Sequence, residues 1–256
     1  MIPYIELHTI DLGLITIQVW GTLVALGFVL GTVASTWYAR KKKLDSRILW
    51  DTLVWVIIGS ILIGRFFHVI FYEPSIFMNN PLHLFVLWEG GFSVIGGFIG
   101  ALLFGGWYLS RRKVSFRKYA EAGLFGLPLG LFVGRIGCAL IHDHPGIETS
   151  FLLAAEYPDG IIRHNHGLYL SLNGLILFLI FLLMYRFKAK SGSYAIVFLI
   201  WYGAVRFILD FYRIADITYL GLTPAQFASI AMVLTGFYLT LHWYLKRAKL
   251  SPTKNK

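Results

Sequence analysis

Charged residues are scarce in this 256-residue chain, at 14%, where a soluble domain carries about a quarter. That shortage excludes an ordinary soluble globular protein. With hydrophobic residues at 57% and a mean hydropathy of +0.67, the chain reads as an integral membrane protein. Cysteine is scarcer still: Cys138 is the single one, so no intrachain disulfide can form. No low-complexity segment and no internal repeat stands out. The N-terminus shows no basic stretch followed by a small-residue cleavage site, so the first apolar run is expected to be retained as a helix.

What the chain does have is apolar length. Seven runs of about 17–25 residues, enough to span a bilayer, fall near 17–38, 52–72, 92–109, 119–141, 167–185, 193–213 and 224–245. Basic residues orient them. Arg40, Lys41, Lys42, Lys43 and Arg47 follow the first run, and Arg111, Arg112, Lys113, Arg117 and Lys118 separate the third from the fourth. Arg186, Lys188 and Lys190 follow the fifth, and Lys246, Arg247, Lys249, Lys254 and Lys256 lie in the tail. These 18 of the 23 basic residues share one side, which the positive-inside rule makes cytoplasmic. The net charge of +10 is therefore a topology signal, not a nucleic-acid footprint. The expectation is an all-α membrane protein, one polytopic domain over 1–256 with seven transmembrane helices. Its N-terminus is outside, its C-terminus cytoplasmic, and segments near 73–91 and 142–166 lie on the periplasmic side.

Three arginines sit inside runs: Arg65, Arg135 and Arg206. A charge there costs about 3 kcal/mol or more unless it lines a polar cavity. Counted from the expected outer ends they lie seven, six and seven residues deep, roughly 9–11 Å at the helical rise. Pairing with Glu121, Asp210 or backbone carbonyls is one reading. An anion site among phospholipid phosphates is the other, since the guanidinium fork suits phosphate. In "WYGAVRFILDFYR", Tyr202, Arg206, Asp210 and Arg213 recur at helical spacing on one face. "WEGGFSVIGGFIGALLFGG" is rich in glycine, which lets helices or a lipid approach the backbone closely.

Histidines gather on the expected outer side. His142-Asp143-His144 and His164-Asn165-His166 fall in one connection, where alternate residues of an extended strand share a face. A general base or proton shuttle, metal ligation and helix capping are all open to them.

Taken in order, "GLITIQVWGTLVALGF", "LWEGGFSVIGGFIG", "VGRIGCALIHDHPG", "RHNHGLYLSL", "GSYAIVFLIWYGAVRFILDFYR" and "LGLTPAQFASIAMVLTG" resemble the prolipoprotein diacylglyceryl transferase family over nearly the whole chain. The most specific matches are Gly134-Arg135-x-Gly137 and Tyr202-Gly203-x-x-Arg206. The resemblance implies a multi-pass enzyme of the bacterial inner membrane with its active site facing the outer leaflet and periplasm. It implies transfer of diacylglyceryl from phosphatidylglycerol to the lipobox cysteine thiol of a preprolipoprotein, or to a related acceptor, with release of glycerol phosphate. Arg135 would bind the headgroup, with Arg206 as the second cation and Tyr202 beside it.

Some family positions differ. Its histidine falls on Ile95, its asparagines on Cys138 and Ile141, its glycine-glutamate pair on His142 and Asp143, and a further glutamate on Leu170. Gln18 and Val19 replace an aromatic-histidine segment. The anion-binding half is kept and much of the proton-handling half is not, so His142 or His144 is expected to replace the missing base. The candidate catalytic residues are thus Arg206, Tyr202, His142, His144 and Asp143. The candidate substrate-binding residues are Arg135, Gly134, Gly137, Arg65, Gly96 and Gly97, and no cofactor or metal is called for. A non-catalytic phospholipid-binding paralogue, or a metal-assisted hydrolase or transferase using His142, His144, His164 and His166, are the alternatives.

Reporter fusions after residues 45, 115, 188 and 250 are expected to report cytoplasm, and fusions near 80, 150 and 218 the opposite side. A cytoplasmic signal at 150 would overturn both the orientation and the placement of the site.

Overall fold

A computed structural model describes residues 2–13, 16–72, 74–86, 91–143, 145–214 and 218–250. Among the described residues the long elements are seven helices: α1 (Val19–Lys41), α2 (Arg47–Tyr72), α4 (Val94–Arg111), α5 (Phe116–Ile141), α6 (His166–Arg186), α7 (Ser193–Asp210) and α8 (Pro224–Leu250). Short α3 (Pro74–Asn79) and a 3₁₀ turn (Pro81–Phe85) join α2 to α4. Among the described residues α1, α2, α5, α6, α7 and α8 are long and apolar enough to cross a membrane by length and composition alone; α4 falls on the third expected run. Their large side chains point outward, Leu103, Leu183, Leu234 and Phe237 each being more than half exposed. Such faces suit hydrocarbon, not water.

The helix ends have local causes. Ser93 accepts a hydrogen bond from the Gly96 N–H, 3.3 Å, to cap α4, and Asn165 accepts one from Leu168, 3.0 Å, to cap α6. Lys43, Lys113 and Lys188 adopt φ of 58°, 54° and 53° just beyond α1, α4 and α6. The next residues then donate back five positions, Leu44 to Ala39 and Ala189 to Met184 at 2.9 and 2.8 Å, closing the last turn. Three of the clustered basic residues therefore also end helices, where a cation faces the negative end of the dipole.

The chain forms two compact units, residues 1–34 with 124–256, and residues 35–123. In the second, α2 packs on α4 by glycine contact. A Cβ on Gly100 would fall 2.0 Å from the Gly59 carbonyl oxygen, and one on Gly96 2.6 Å from that of Ile63. Ser60 Oγ donates to the Gly97 carbonyl, 3.0 Å. Polar side chains close the basic end of this unit: Asp51 accepts from Tyr108 at 2.6 Å and pairs with Arg112 at 2.8 Å, and Tyr38 donates to Glu121 at 2.7 Å.

In the first unit, α1 crosses α5 on a glycine seam. A Cβ on Gly27 would sit 2.6 Å from the Gly130 carbonyl oxygen. Five short strands, β1 (Thr9–Asp11), β2 (Thr16–Gln18), β3 (Pro145–Glu148), β4 (Ala155–Glu156) and β5 (Ile162–Asn165), lie in its connections. β1 and β2 form an antiparallel hairpin, and the second sheet runs β3-β5-β4. Both outer edges of that sheet are covered, Ile2 bridging Ala155 and Arg213 bridging Gly146. The segments before α1, after α5 and after α7 are thereby gathered at one end of the unit, and the sheet edges are not left open to other chains.

Gly100→Ala is expected to cost about 1–3 kcal/mol by overpacking against backbone that cannot withdraw. Gly123→Ala, with nothing within 4 Å of the new Cβ, is expected to be neutral or to stabilise by about 0.5–1 kcal/mol. Thermal unfolding in detergent ranks the two, and equal losses would contradict the packing described.

Candidate active site

The helix ends gathered in the first unit bring most of its expected site residues together. Arg135 projects from α5, six residues before the helix ends, and is half-buried. Among the described residues its one hydrogen bond goes to Cys138 Sγ, a long 3.8 Å contact, and it has no ion pair. Tyr202 and Asp143 are the oxygen-bearing groups within its electrostatic reach. Tyr202 lies within electrostatic reach of Arg206 as well, and the two guanidiniums lie within reach of each other. Tyr202 is itself fixed by stacking on Phe198, 5.2 Å between ring centroids.

Arg206 is anchored differently. It pairs with Asp210 at 3.0 Å, and a second guanidinium nitrogen donates to His166 Nε2 at 3.2 Å. Asp210 has no exposed side-chain surface and also holds Arg213 at 3.5 Å. Helix α7 ends at Asp210, three residues short of the expected span, because the chain turns there to bridge β3 through Arg213. The depth expected for Arg206 is corrected accordingly, to four residues or about 6 Å from the helix end. Arg213 leaves the helix, yet its side chain still meets Asp210.

His142 sits just past α5 at φ +48°, the left-handed position that the three lysines occupy elsewhere. Its Nε2 faces the Ile5 carbonyl oxygen at 3.2 Å, and a carbonyl only accepts, so that nitrogen carries the proton. Nδ1 then accepts from the Tyr157 hydroxyl, 3.0 Å. Burial, with the Tyr4 phenol alongside, pushes Tyr157 up to about 12, so it stays a donor. Tyr4 stacks on the imidazole at 4.3 Å. Asn165, besides capping α6, donates to the Ala139 carbonyl at 3.1 Å and ties the start of α6 to the end of α5. Asp143 is exposed beside this knot. His144 lies outside the described residues.

His164 and His166 do not present their rings together. His164 bonds the Tyr169 hydroxyl at 2.8 Å and packs near Tyr212, while His166 turns to Arg206. Strand β5 gives way to α6 between them, so the shared face expected of an extended strand is lost. Among the described residues no three His, Cys, Asp or Glu are grouped to hold a metal ion. The metal-assisted reading therefore has no ligand set in His142, His164 and His166.

The glycines have structural neighbours. A Cβ on Gly137 would lie 3.2 Å from Trp20 Cα, so this residue admits α1, whereas Gly134 has only ordinary contact with Val24. Gly96 and Gly97 face α2 in the other unit. Arg65 belongs to that unit too. It is 2% exposed and donates to the carbonyls of Gly91 and His83, both at 3.3 Å, holding the α2–α4 connection. The side chain of Ile95 is not described.

Sequence reasoning missed Tyr4, Tyr157 and the Arg206–His166 contact, which join segments up to 153 residues apart and leave no local pattern. Burial lowers His142, opposed by Ile5 and the nearby Glu6 and Asp143 charges and aided by His8; burial lowers His164 also. Both favour the neutral ring in the folded state. The unfolded chain takes up its protons near pH 6.5. Stability is thus full above that value and falls as pH drops through it towards the folded values. Thermal unfolding in detergent is expected at lower temperature at pH 5.5 than at 7.5, with a smaller difference in His142→Gln. An undiminished difference in that variant would contradict the assignment.

The family model described as prolipoprotein diacylglyceryl transferase matches residues 8–242. The phosphatidylglycerol–prolipoprotein diacylglyceryl transferase of Bordetella parapertussis is 33% identical over 93% of this chain and 95% of its own length. The proteins of the same name from Pseudoalteromonas atlantica and Listeria innocua are 30% and 28% identical, over 98% and 95% of this chain and 93% and 90% of their own lengths. The chain belongs to the prolipoprotein diacylglyceryl transferase family.

Proposed function

We propose that this protein transfers a diacylglyceryl group from phosphatidylglycerol to the cysteine thiol of a prolipoprotein. The observation that carries the reading is a pair of guanidiniums within electrostatic reach of each other and of Tyr202: Arg206 locked by Asp210, and Arg135 left without an ion pair among the described residues. A cation held in an apolar helix without a carboxylate partner suits an anionic ligand, and a lipid phosphate is the anion available in that layer. The names of the relatives supply the two substrates. Seven spans, an outer N-terminus, a cytoplasmic C-terminus and a site opening towards the outer leaflet of the inner membrane complete the proposal; the 18 clustered basic residues support that orientation.

In the reaction the acceptor sulfur forms a bond to the glyceryl carbon as the carbon–oxygen bond to phosphate breaks. Glycerol phosphate leaves with the electron pair, and the thiol proton passes to a base. Arg135 and Arg206 offset the charge that grows on the departing phosphate. Tyr202, within electrostatic reach of both, orients the same group.

The base must take a proton from a thiol of pKa about 8.5, and imidazole, near 6.5, is suited to the task; a carboxylate near 3.9 is too acidic. We assign that role to His144 on this chemistry. His142, bonded at both nitrogens, shapes the end of α5, and Asp143 contributes its charge beside Arg135. Gly137 admits α1 two residues beyond Arg135, Gly134 lies in ordinary contact with α1 beside it, and Arg65, Gly96 and Gly97 maintain the α2–α4 unit.

Arg135→Gln and Arg206→Gln are each expected to cost about 1.5–3 kcal/mol or more in transition-state binding. Transfer from labelled phosphatidylglycerol to a prolipoprotein peptide would then fall at least tenfold, with the unfolding temperature of Arg135→Gln unchanged. Unfolding of that variant would indicate a structural arginine instead. His144→Ala is expected to lower transfer by about 10²–10⁴-fold, while His142→Ala lowers stability first. Equal activity of parent and His144→Ala would remove the base assignment.

A further inference from the structure

Three helices hold Arg206. Its own α7 supplies Asp210 and α6 supplies His166. The third support is indirect and comes from the start of α8. The hydroxyl of Thr223 donates to Asp210 Oδ2, the carboxylate oxygen not engaged with Arg206. Thr223 is also the N-cap of α8. Its Oγ1 accepts from the Gln226 N–H at 3.1 Å, and Gln226 Oε1 accepts from the Thr223 N–H at 2.9 Å. Thr223 and Gln226 are 6% and 2% exposed. Gln226 Nε2 reaches the Phe207 carbonyl of α7 at 3.5 Å.

A reciprocal cap of this kind uses Oγ1 only as an acceptor. The hydroxyl proton is surplus to it, and aspartate or asparagine would serve the helix as well. Here that proton goes to a fully buried carboxylate whose other oxygen fixes a guanidinium. Without it, Asp210 loses a donor in a place water does not reach and is free to rotate towards Arg213.

We propose that Thr223 is a positioning residue for the transfer reaction, acting through Asp210 to hold Arg206 where charge develops on the departing phosphate. The proposal rests on the role given above to Arg206. Gln226 serves the helix cap and lies outside the relay.

An interaction needed mainly at the transition state appears in kcat rather than in KM. Thr223→Val is therefore expected to lower kcat about tenfold or more, with KM for phosphatidylglycerol within about threefold of the parent. Thr223→Ser, which keeps the hydroxyl, is expected to recover most of the loss. Combined with Arg206→Lys, Thr223→Val is expected to add little to the kcat defect, because both act at the same guanidinium.

A loss of unfolding temperature with kcat unchanged, or multiplicative kcat losses in the double variant, would overturn the proposal. If the parent itself shows no transfer, the proposed function fails separately. The relay is then read from a thermal-unfolding cycle of the same two substitutions, where non-additive losses support it and additive losses overturn it.

Discussion

A guanidinium inside an apolar layer must be answered by something, and the two ways this chain answers it organise the first unit. Arg206 is answered from within the protein. Asp210 sits at the last turn of α7, buried, and gathers Arg206, Arg213 and the cap of α8 around one carboxylate. Among the described residues Arg135 has a thiol at 3.8 Å and the field of Tyr202 and Asp143. The contrast between a satisfied and an under-satisfied arginine is what turns a helix bundle into a candidate site. The end of α5 must then be built so that Arg135 stays near Tyr202. That explains the density of contacts there: Gly137 admitting α1, Asn165 joining α6 to Ala139, and His142 clasped by Tyr4, Tyr157 and Ile5.

The second unit follows the same physics with a different outcome. Among the described residues Arg65 is as buried as any charged one, but its two terminal nitrogens meet backbone carbonyls of Gly91 and His83. It fastens a connection rather than offering itself to a ligand. Glycine contact between α2 and α4 replaces the hydrophobic drive that lipid does not supply, since close backbone approach is what gives dispersion between helices in a membrane.

Much of this was legible in the residues. Seven apolar runs marked the seven long helices, and Arg135, Tyr202, Arg206 and Asp210 were visible as polar intrusions at helical spacing. The end of α7 was not, because "ILDFYR" reads as helix until the pairing of Arg213 with Gly146 in a distant strand interrupts it. The His164-x-His166 spacing suggested two imidazoles on one face, and the change from β5 to α6 between those residues separates them. The placement of His142 just past α5 was not legible, because its contacts depend on an N-terminal segment lying more than 130 residues away in sequence. The Thr223–Gln226 cap, by contrast, was written in "LTPAQ" and needed only its spacing to be noticed.

The central claim is group transfer from a lipid phosphate to a thiol. It is tested most directly by following headgroup-labelled phosphatidylglycerol with the purified protein, with and without a prolipoprotein peptide bearing its cysteine. The account predicts glycerol phosphate released in step with thioether formed on the peptide, and only background release when the cysteine is replaced by serine. Release that is equally fast without a thiol, or no release with any thiol peptide despite bound lipid, would contradict it.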